Sequence, residues 1–322
     1  MAGAPACQRG ASPVSVLATT CTTGCYCILM LYPPVVPHRT GLLDVGDGHH
    51  AYWEVSGNPE GWPVVVLHGG PGGGCTDRSR RWFHPDHFRI VTFDQCGSGR
   101  STPHAAIEHN TTKHLIGDLE SLRVVLDIDR WVLMGRSWGA TLALAYAEKH
   151  PDRVDAIVVS GVFTARQFEL DWLYPADVAR AYHLRLTSGT DATQRAAARA
   201  WCAREDAVTS AVTLAALDDR TALARARIGA HYFLNRYFLA DGELLGNAGT
   251  LRGIRGVIVQ GRDDVVTPSI SAYDLHAVWP ESRLEIVDNA GHSTADLALM
   301  RALVDATDSL LPIARTLARK GV

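Results

Sequence analysis

Trp131-Val132-Leu133-Met134-Gly135-Arg136-Ser137-Trp138-Gly139 is the stretch that decides the fold. Trp131 to Met134 is a short apolar run, the signature of a strand buried on both faces. Gly135 to Gly139 has the form GxSxG, and Ala140 to His150 follows as a helix stopped by Pro151. A serine on a tight strand-to-helix turn needs small residues two positions away on either side. The helix after it aims its dipole and its free first-turn amides at the serine, where they favour developing negative charge.

Outward from this segment, strands and helices alternate. Gly41 to Gly46 and Ala51 to Val55 read as two early strands joined through the turn dipeptide Asp47-Gly48, and Val64 to Leu67 and Arg89 to Phe93 as buried strands. Leu115, Leu119, Leu122 and Leu126 form one stripe on a helix. Ala156 to Ser160 is the next strand. The rhythm is lost from 164 to 250, a stretch rich in Ala, Arg, Leu, Trp and Tyr that reads as a helical insertion. It returns with the strands Gly256 to Gln260 and Arg283 to Val287, a helix after Pro268, and terminal helices. This predicts an α/β protein with a mostly parallel sheet, helices on both faces and an inserted helical cap. The expected division is 32–163 with 251–322 as the core and 164–250 as the cap domain. Residues 1–31, rich in Ala, Thr, Ser and Cys, are expected to be a disordered leader. They carry one cation, Arg9, and no clean apolar run before a cleavage site. Cys21, Cys25 and Cys27 lack a histidine or second CxxC partner for a metal.

Composition narrows the function classes. The 322 residues are 47% hydrophobic, and 31 cationic against 34 acidic side chains give a net charge of −3. That balance argues against a general nucleic-acid binder. No run of eighteen apolar residues suggests a membrane span. Seven cysteines, four of them within the first 27 residues, do not make a disulfide scaffold, and a reduced, cytoplasmic compartment is expected.

A serine hydroxyl becomes nucleophilic only beside a base, which an acid must orient. On a sheet of this kind the order is serine, acid, histidine. Asp264 follows the strand Gly256 to Gln260, and His292 follows Arg283 to Val287, so both fall at C-terminal strand ends. Singly, a loop aspartate is usually a turn former and a loop histidine is usually solvated; the ordered set is what carries the signal. Asp263 is an adjacent rival that spacing alone leaves open. His68-Gly69-Gly70-Pro71-Gly72-Gly73-Gly74, directly after Val64 to Leu67, matches no phosphate-loop pattern. Its glycines let backbone amides approach an oxyanion, together with the amide of Trp138.

At these residues the chain resembles the proline iminopeptidase (prolyl aminopeptidase) family of α/β-hydrolases. The matching segments are Gly41 to Gly48, HGGPGGG at 68–74, Asp94-Gln95-Cys96-Gly97-Ser98-Gly99-Arg100-Ser101, Asn110-Thr111-Thr112, Ser137-Trp138-Gly139 with Leu142 to Tyr146, and Gly291-His292-Ser293. The resemblance runs from about Tyr32 to the terminal helices. It implies a serine aminopeptidase with no metal and no cofactor. In it Ser137 is the nucleophile, Asp264 the acid, His292 the base, and the amides of Gly70 and Trp138 the oxyanion donors.

Departures from the family pattern cluster where the substrate's amino end is recognised. Trp201-Cys202-Ala203-Arg204-Glu205 keeps one of two usual carboxylates, but Arg204 replaces a tryptophan. Gly229 stands where the second carboxylate is usual, and Ser160 and Cys96 where arginines are common. Glu205, Phe163, Gly69 and Gly229 are the substrate-facing candidates. The expected substrate is a small peptide or an aminoacylated small molecule, with neither nucleic acid nor membrane as partner. An amidase or esterase for a non-peptide molecule, such as an aminoacylated secondary metabolite, is the first alternative. A catalytically inactive binding protein is the second.

Overall fold

Val65 and Leu67 pack into one hydrophobic core while Val64 and Val66 pack into another, because alternate side chains of their strand point to opposite, equally covered faces. The computed structural model describes residues 31–209 and 217–314, together with a two-residue antiparallel pair, Thr19–Thr20 with Tyr26–Cys27. Apart from that pair and Leu31, the expected leader lies outside the described residues.

Eight strands form the main sheet: β1 (Arg39–Gly46), β2 (His49–Gly57), β3 (Trp62–Leu67), β4 (Phe88–Asp94), β5 (Trp131–Arg136), β6 (Val154–Ser160), β7 (Arg255–Gly261) and β8 (Ser282–Val287). Their order is β8-β7-β6-β5-β3-β4-β2-β1. β2 alone runs against its neighbours, β1 and β4. The strands from β3 to β8 are joined in parallel, with β5 at the centre.

Helices cover both faces. α1 (Thr112–Val125) buries the predicted stripe of Leu115, Leu119 and Leu122, and α2 (Trp138–Lys149) is buried for most of its length. On the other face α9 (Leu297–Asp308) lays Leu299, Leu303 and Ala306 against Val64, Val132 and Val158. Between β6 and β7 come α3 (Gln167–Leu173), α4 (Ala176–Thr187), α5 (Asp191–Thr209), α6 (Asp219–Leu234) and α7 (Glu243–Asn247). No strand interrupts them among the described residues, as the lost rhythm implied. α8 (Ile270–Val278) follows Pro268. Among the described residues no helix is long and apolar enough to cross a membrane.

Charge is buried beside β4. Glu54 on β2 accepts hydrogen bonds from Arg80 Nη1 at 2.6 Å and from Arg100, and Arg100 Nε also donates to Asp94 Oδ2 at 2.8 Å. Asp94 further accepts from the backbone amides of Cys75 and Arg100. Arg80 also meets the exposed Asp77 at 2.6 Å, and each buried carboxylate of the set has a guanidinium partner; breaking such a set typically costs about 3–5 kcal/mol. Its effect is to hold the chain that leaves β4.

Asp118 on α1 is different. It is 5% exposed, and its carboxylate accepts a hydrogen bond from the Cys96 thiol at 3.1 Å. Burial pushes its carboxyl up to about 7, against the pull of that thiol. A folded pKa above the unfolded one means that the folded state keeps a proton the unfolded chain releases from about pH 4 upward. This stabilisation is full below that range and is lost as pH rises through about 7, to a total of the order of 4 kcal/mol. Asp118→Asn should therefore flatten the decline in stability between pH 5 and pH 8, as read from urea midpoints of both proteins. Equal declines in the two would refute it.

Candidate active site

Ser137 occupies the cap position between β5 and α2 with φ 55° and ψ −128°. A positive φ in a residue with a side chain is strained and persists only where the surroundings enforce it. Here they do. The Ser137 amide donates to Ser160 O on β6 at 2.9 Å, and its carbonyl accepts from Ala140 N at 2.8 Å. A Cβ at position 135 would lie 2.0 Å from Gly139 O, and one at 139 would lie 2.2 Å from Leu67 O. Both flanking glycines are thus dictated by backbone contact. α2 starts at Trp138, two residues earlier than the sequence pattern suggests, which brings its first-turn amides directly to the serine.

Asp264, just past β7, is buried, and its carboxylate is fully engaged. It accepts from Val266 N at 2.9 Å, Thr267 N at 2.8 Å, Thr267 Oγ1 at 2.8 Å and Gln260 Nε2 at 3.1 Å. Its Oδ2 lies 2.8 Å from His292 Nδ1. Burial alone would raise its pKa, but the imidazole and the Thr267 donors overcome this and hold it below the usual carboxylate range. An ionised Asp264 fixes the hydrogen of His292 on Nδ1 and leaves Nε2 as the basic nitrogen. Asp263 is exposed, and its amide donates to Ala290 O at 2.9 Å. Of the two adjacent aspartates, Asp264 is the one against the imidazole.

Two neighbours set the ring's position. Arg136 Nη2 donates to His292 O at 2.9 Å. Gly161 lies so close that a Cβ there would stand 2.9 Å from His292 Cε1, and its φ is +58°.

The glycine loop is tied to the elbow through Gln95. The buried His68 accepts at Nε2 from Gln95 N at 3.0 Å, and its Nδ1 lies 2.9 Å from Gly69 O and 3.2 Å from Gly74 N. Burial pushes this imidazole's pKa down, in keeping with a neutral ring. The Gln95 side chain donates to His68 O at 3.0 Å and accepts from Trp138 Nε1 at 2.8 Å. One side chain therefore joins the loop after β3, the turn after β4 and the elbow after β5. A Cβ at Gly69 would be 3.4 Å from Ser137 Cβ, and Gly70 has φ +122°.

A cavity of about 580 Å³ opens over Ser137 and His292, with Gly69, Gly70, Trp138 and Phe163 on its floor. Its far wall is helical: Trp201 and Glu205 from α5, and Arg225 and Gly229 from α6. Glu205 is not a lone carboxylate, since Arg225 Nε lies 2.7 Å from its Oε2.

A family model described as an alpha/beta hydrolase fold matches residues 63–298. The chain is 46% identical over 310 residues to a proline iminopeptidase of Xylella fastidiosa, covering 87% of this chain and 99% of that one. It is 44% identical over 311 residues to a proline iminopeptidase of Arabidopsis thaliana, covering 87% and 82%. A solved hydrolase from Pseudomonas aeruginosa superposes with a TM-score of 0.63 at 18% identity, over 88% of this chain and 99% of that one, a likeness of fold. The chain belongs to the proline iminopeptidase family of α/β-hydrolases.

Gln95, Gly161, Thr267 and Arg225 also belong to the site, though none is a candidate on sequence grounds. Gln95 lies inside a quoted motif but carried no stated role, and Arg225 has no motif at all. Elsewhere, Asp47, His109 and His114 bring potential metal-ligand atoms within 4.8 Å of one another, but none of them lines the cavity. Close packing of Gly161 on the imidazole has a measurable consequence. Gly161→Ala should displace His292 and lower kcat about a hundredfold, while thermal unfolding shows that the fold survives. Unchanged kcat in a folded variant would remove Gly161 from the positioning set.

Proposed function

We propose that the protein is a serine aminopeptidase that releases a proline-like or small N-terminal aminoacyl group from an amide through an acyl-enzyme. The observation that carries this reading is the 2.8 Å contact of Asp264 with His292 in a cavity floored by Ser137 on its strained turn. Ser137 Oγ attacks the scissile carbonyl while His292 Nε2 takes its proton. The amides of Gly70 and Trp138 stabilise the oxyanion, where a single donor is worth about 3–4 kcal/mol. Collapse breaks the C–N bond as His292 returns the proton to the departing amine. Water, deprotonated by the same nitrogen, then frees the acyl group and restores Ser137.

In this reading residues 32–163 and 251–322 form the catalytic core, 164–250 form a cap domain over the cavity, and 1–31 are a leader. Small peptides or aminoacylated small molecules are its substrates. The unpaired Cys75, Cys96 and Cys202 fit a reducing, cytoplasmic setting.

A fluorophosphonate probe should label the wild type at Ser137 and leave Ser137→Ala unlabelled and inactive, with metal chelators leaving the wild-type rate unchanged. Asp264→Asn should cost about 10⁴-fold in kcat and Asp263→Asn little. Equal losses in the two aspartate variants, or chelator inhibition reversed by zinc, would sink the mechanism.

A further inference from the structure

α5 and α6 present matched pairs to each other across the far wall of the cavity. Trp201 and Glu205 are four residues apart on α5, and Arg225 and Gly229 are four apart on α6, so each pair shares one helix face. Trp201 stands opposite Gly229: the nearest atoms to a Cβ built there belong to the Trp201 ring, at an ordinary contact of 3.6 Å. Glu205 stands opposite Arg225, at 2.7 Å. Arg225 also lies 3.4 Å from Asp206. The remaining cation of this wall, Arg204, rests over the Tyr174 ring at 4.9 Å from its centre, and Tyr174 in turn stacks on Trp201.

The charges on the wall are therefore largely satisfied from within. α6 contributes a guanidinium at position 225 and no side chain at 229. A free ammonium entering this partly desolvated space would need an uncompensated anion. It finds Glu205 already neutralised, with the Arg225 cation beside it. An uncharged acyl group of the same shape faces no such conflict and has the Trp201 face and the Gly229 space to pack against. Specificity is a difference of affinities, and the ion pair removes most of the difference that a bare carboxylate would create.

We propose that Arg225 is a specificity-determining residue: by holding Glu205 in an ion pair within the cavity wall, it brings small uncharged acyl groups to within tenfold of free aminoacyl groups as substrates. The inference rests on the acyl-enzyme reading above and narrows its substrate class.

The test compares two p-nitroanilides of nearly the same shape, prolyl and cyclopentanecarbonyl, which differ in the ring nitrogen and its charge. In the wild type, kcat/KM for the prolyl compound should exceed that for the cyclopentanecarbonyl compound by less than tenfold. Arg225→Leu should raise this ratio at least tenfold by releasing Glu205, and Arg225→Gln should move it in the same direction should the leucine variant fold poorly. Adding Glu205→Gln to either should bring the ratio back. A wild-type preference for the prolyl compound above tenfold, or a ratio unchanged in folded Arg225 variants, overturns the proposal. Turnover of neither compound by a Ser137-labelled enzyme is a failure of the proposed reaction instead. In that event calorimetric binding of prolinamide and cyclopentanecarboxamide to Ser137→Ala, with and without Arg225→Leu, reads the same selectivity without catalysis, and identical relative affinities in both backgrounds overturn it.

Discussion

The constraint on which the structure turns is the backbone of one residue. Ser137 is held at φ 55°, a conformation that costs a side-chain-bearing residue about 1–3 kcal/mol. It is sustained because the chain around it has no freedom: the carbonyls of Leu67 and Gly139 approach the Cα positions of Gly139 and Gly135 so closely that only glycine fits. That crowding exists because β5 is central and parallel, flanked by β3 and β6, with α2 folding back across it. A looser or edge strand could not press the turn in this way. The elbow is therefore a product of the whole sheet and not of five residues alone.

Given that turn, the other groups arrive by topology. β3, β7 and β8 run parallel with β5, so the glycine loop, Asp264 and His292 all emerge at the same sheet edge as Ser137. Parallelism brings them near, and hydrogen bonds set the final ångström. Gln95 is the chief example, because it binds His68 and Trp138 at once and so makes two separate motifs one rigid object. Gln95 can do this only because the preceding residue, Asp94, is clamped in the buried charge network with Arg100 and Glu54. The long polar-glycine motif from Asp94 to Ser101 reads, in physical terms, as an anchor followed by a bridge.

Much of this was legible from sequence because its signals are local. Runs such as Val64 to Leu67, the leucine stripe of α1 and the small residues about Ser137 each report their own surroundings. The choice between Asp263 and Asp264 was not legible. Adjacent residues on a loop point in different directions, and only the turn through Thr267 decides which one meets the imidazole. Glu205 shows the same limit more sharply. Its type and motif placed it at the cavity, yet its chemistry depends on Arg225, twenty residues away on another helix. No periodicity encodes such a partner. Gly161 carries no sequence signal of its own, although the close approach of the imidazole requires a glycine there.

α6 joins the core to the far wall of the cavity. Its Tyr232 packs edge-on to Trp138 at 4.9 Å and donates a hydrogen bond to Asn110 Oδ1 at 3.0 Å, which ties the helix to the first turn of α2. Ile228, on the same side, is buried and would clash with any side chain at Gly97. Arg225 and Gly229 lie along the same stripe, up to two turns toward the N-terminus, where they meet α5 and line the cavity. Tyr232 and Ile228 anchor this stripe to the core, while Arg225 and Gly229 set the charge and space of the cavity wall. Because the anchor and the wall residues sit on different turns of one stripe, the charge at position 225 can differ while the packing at Tyr232, and with it the elbow, stays as the sheet sets it.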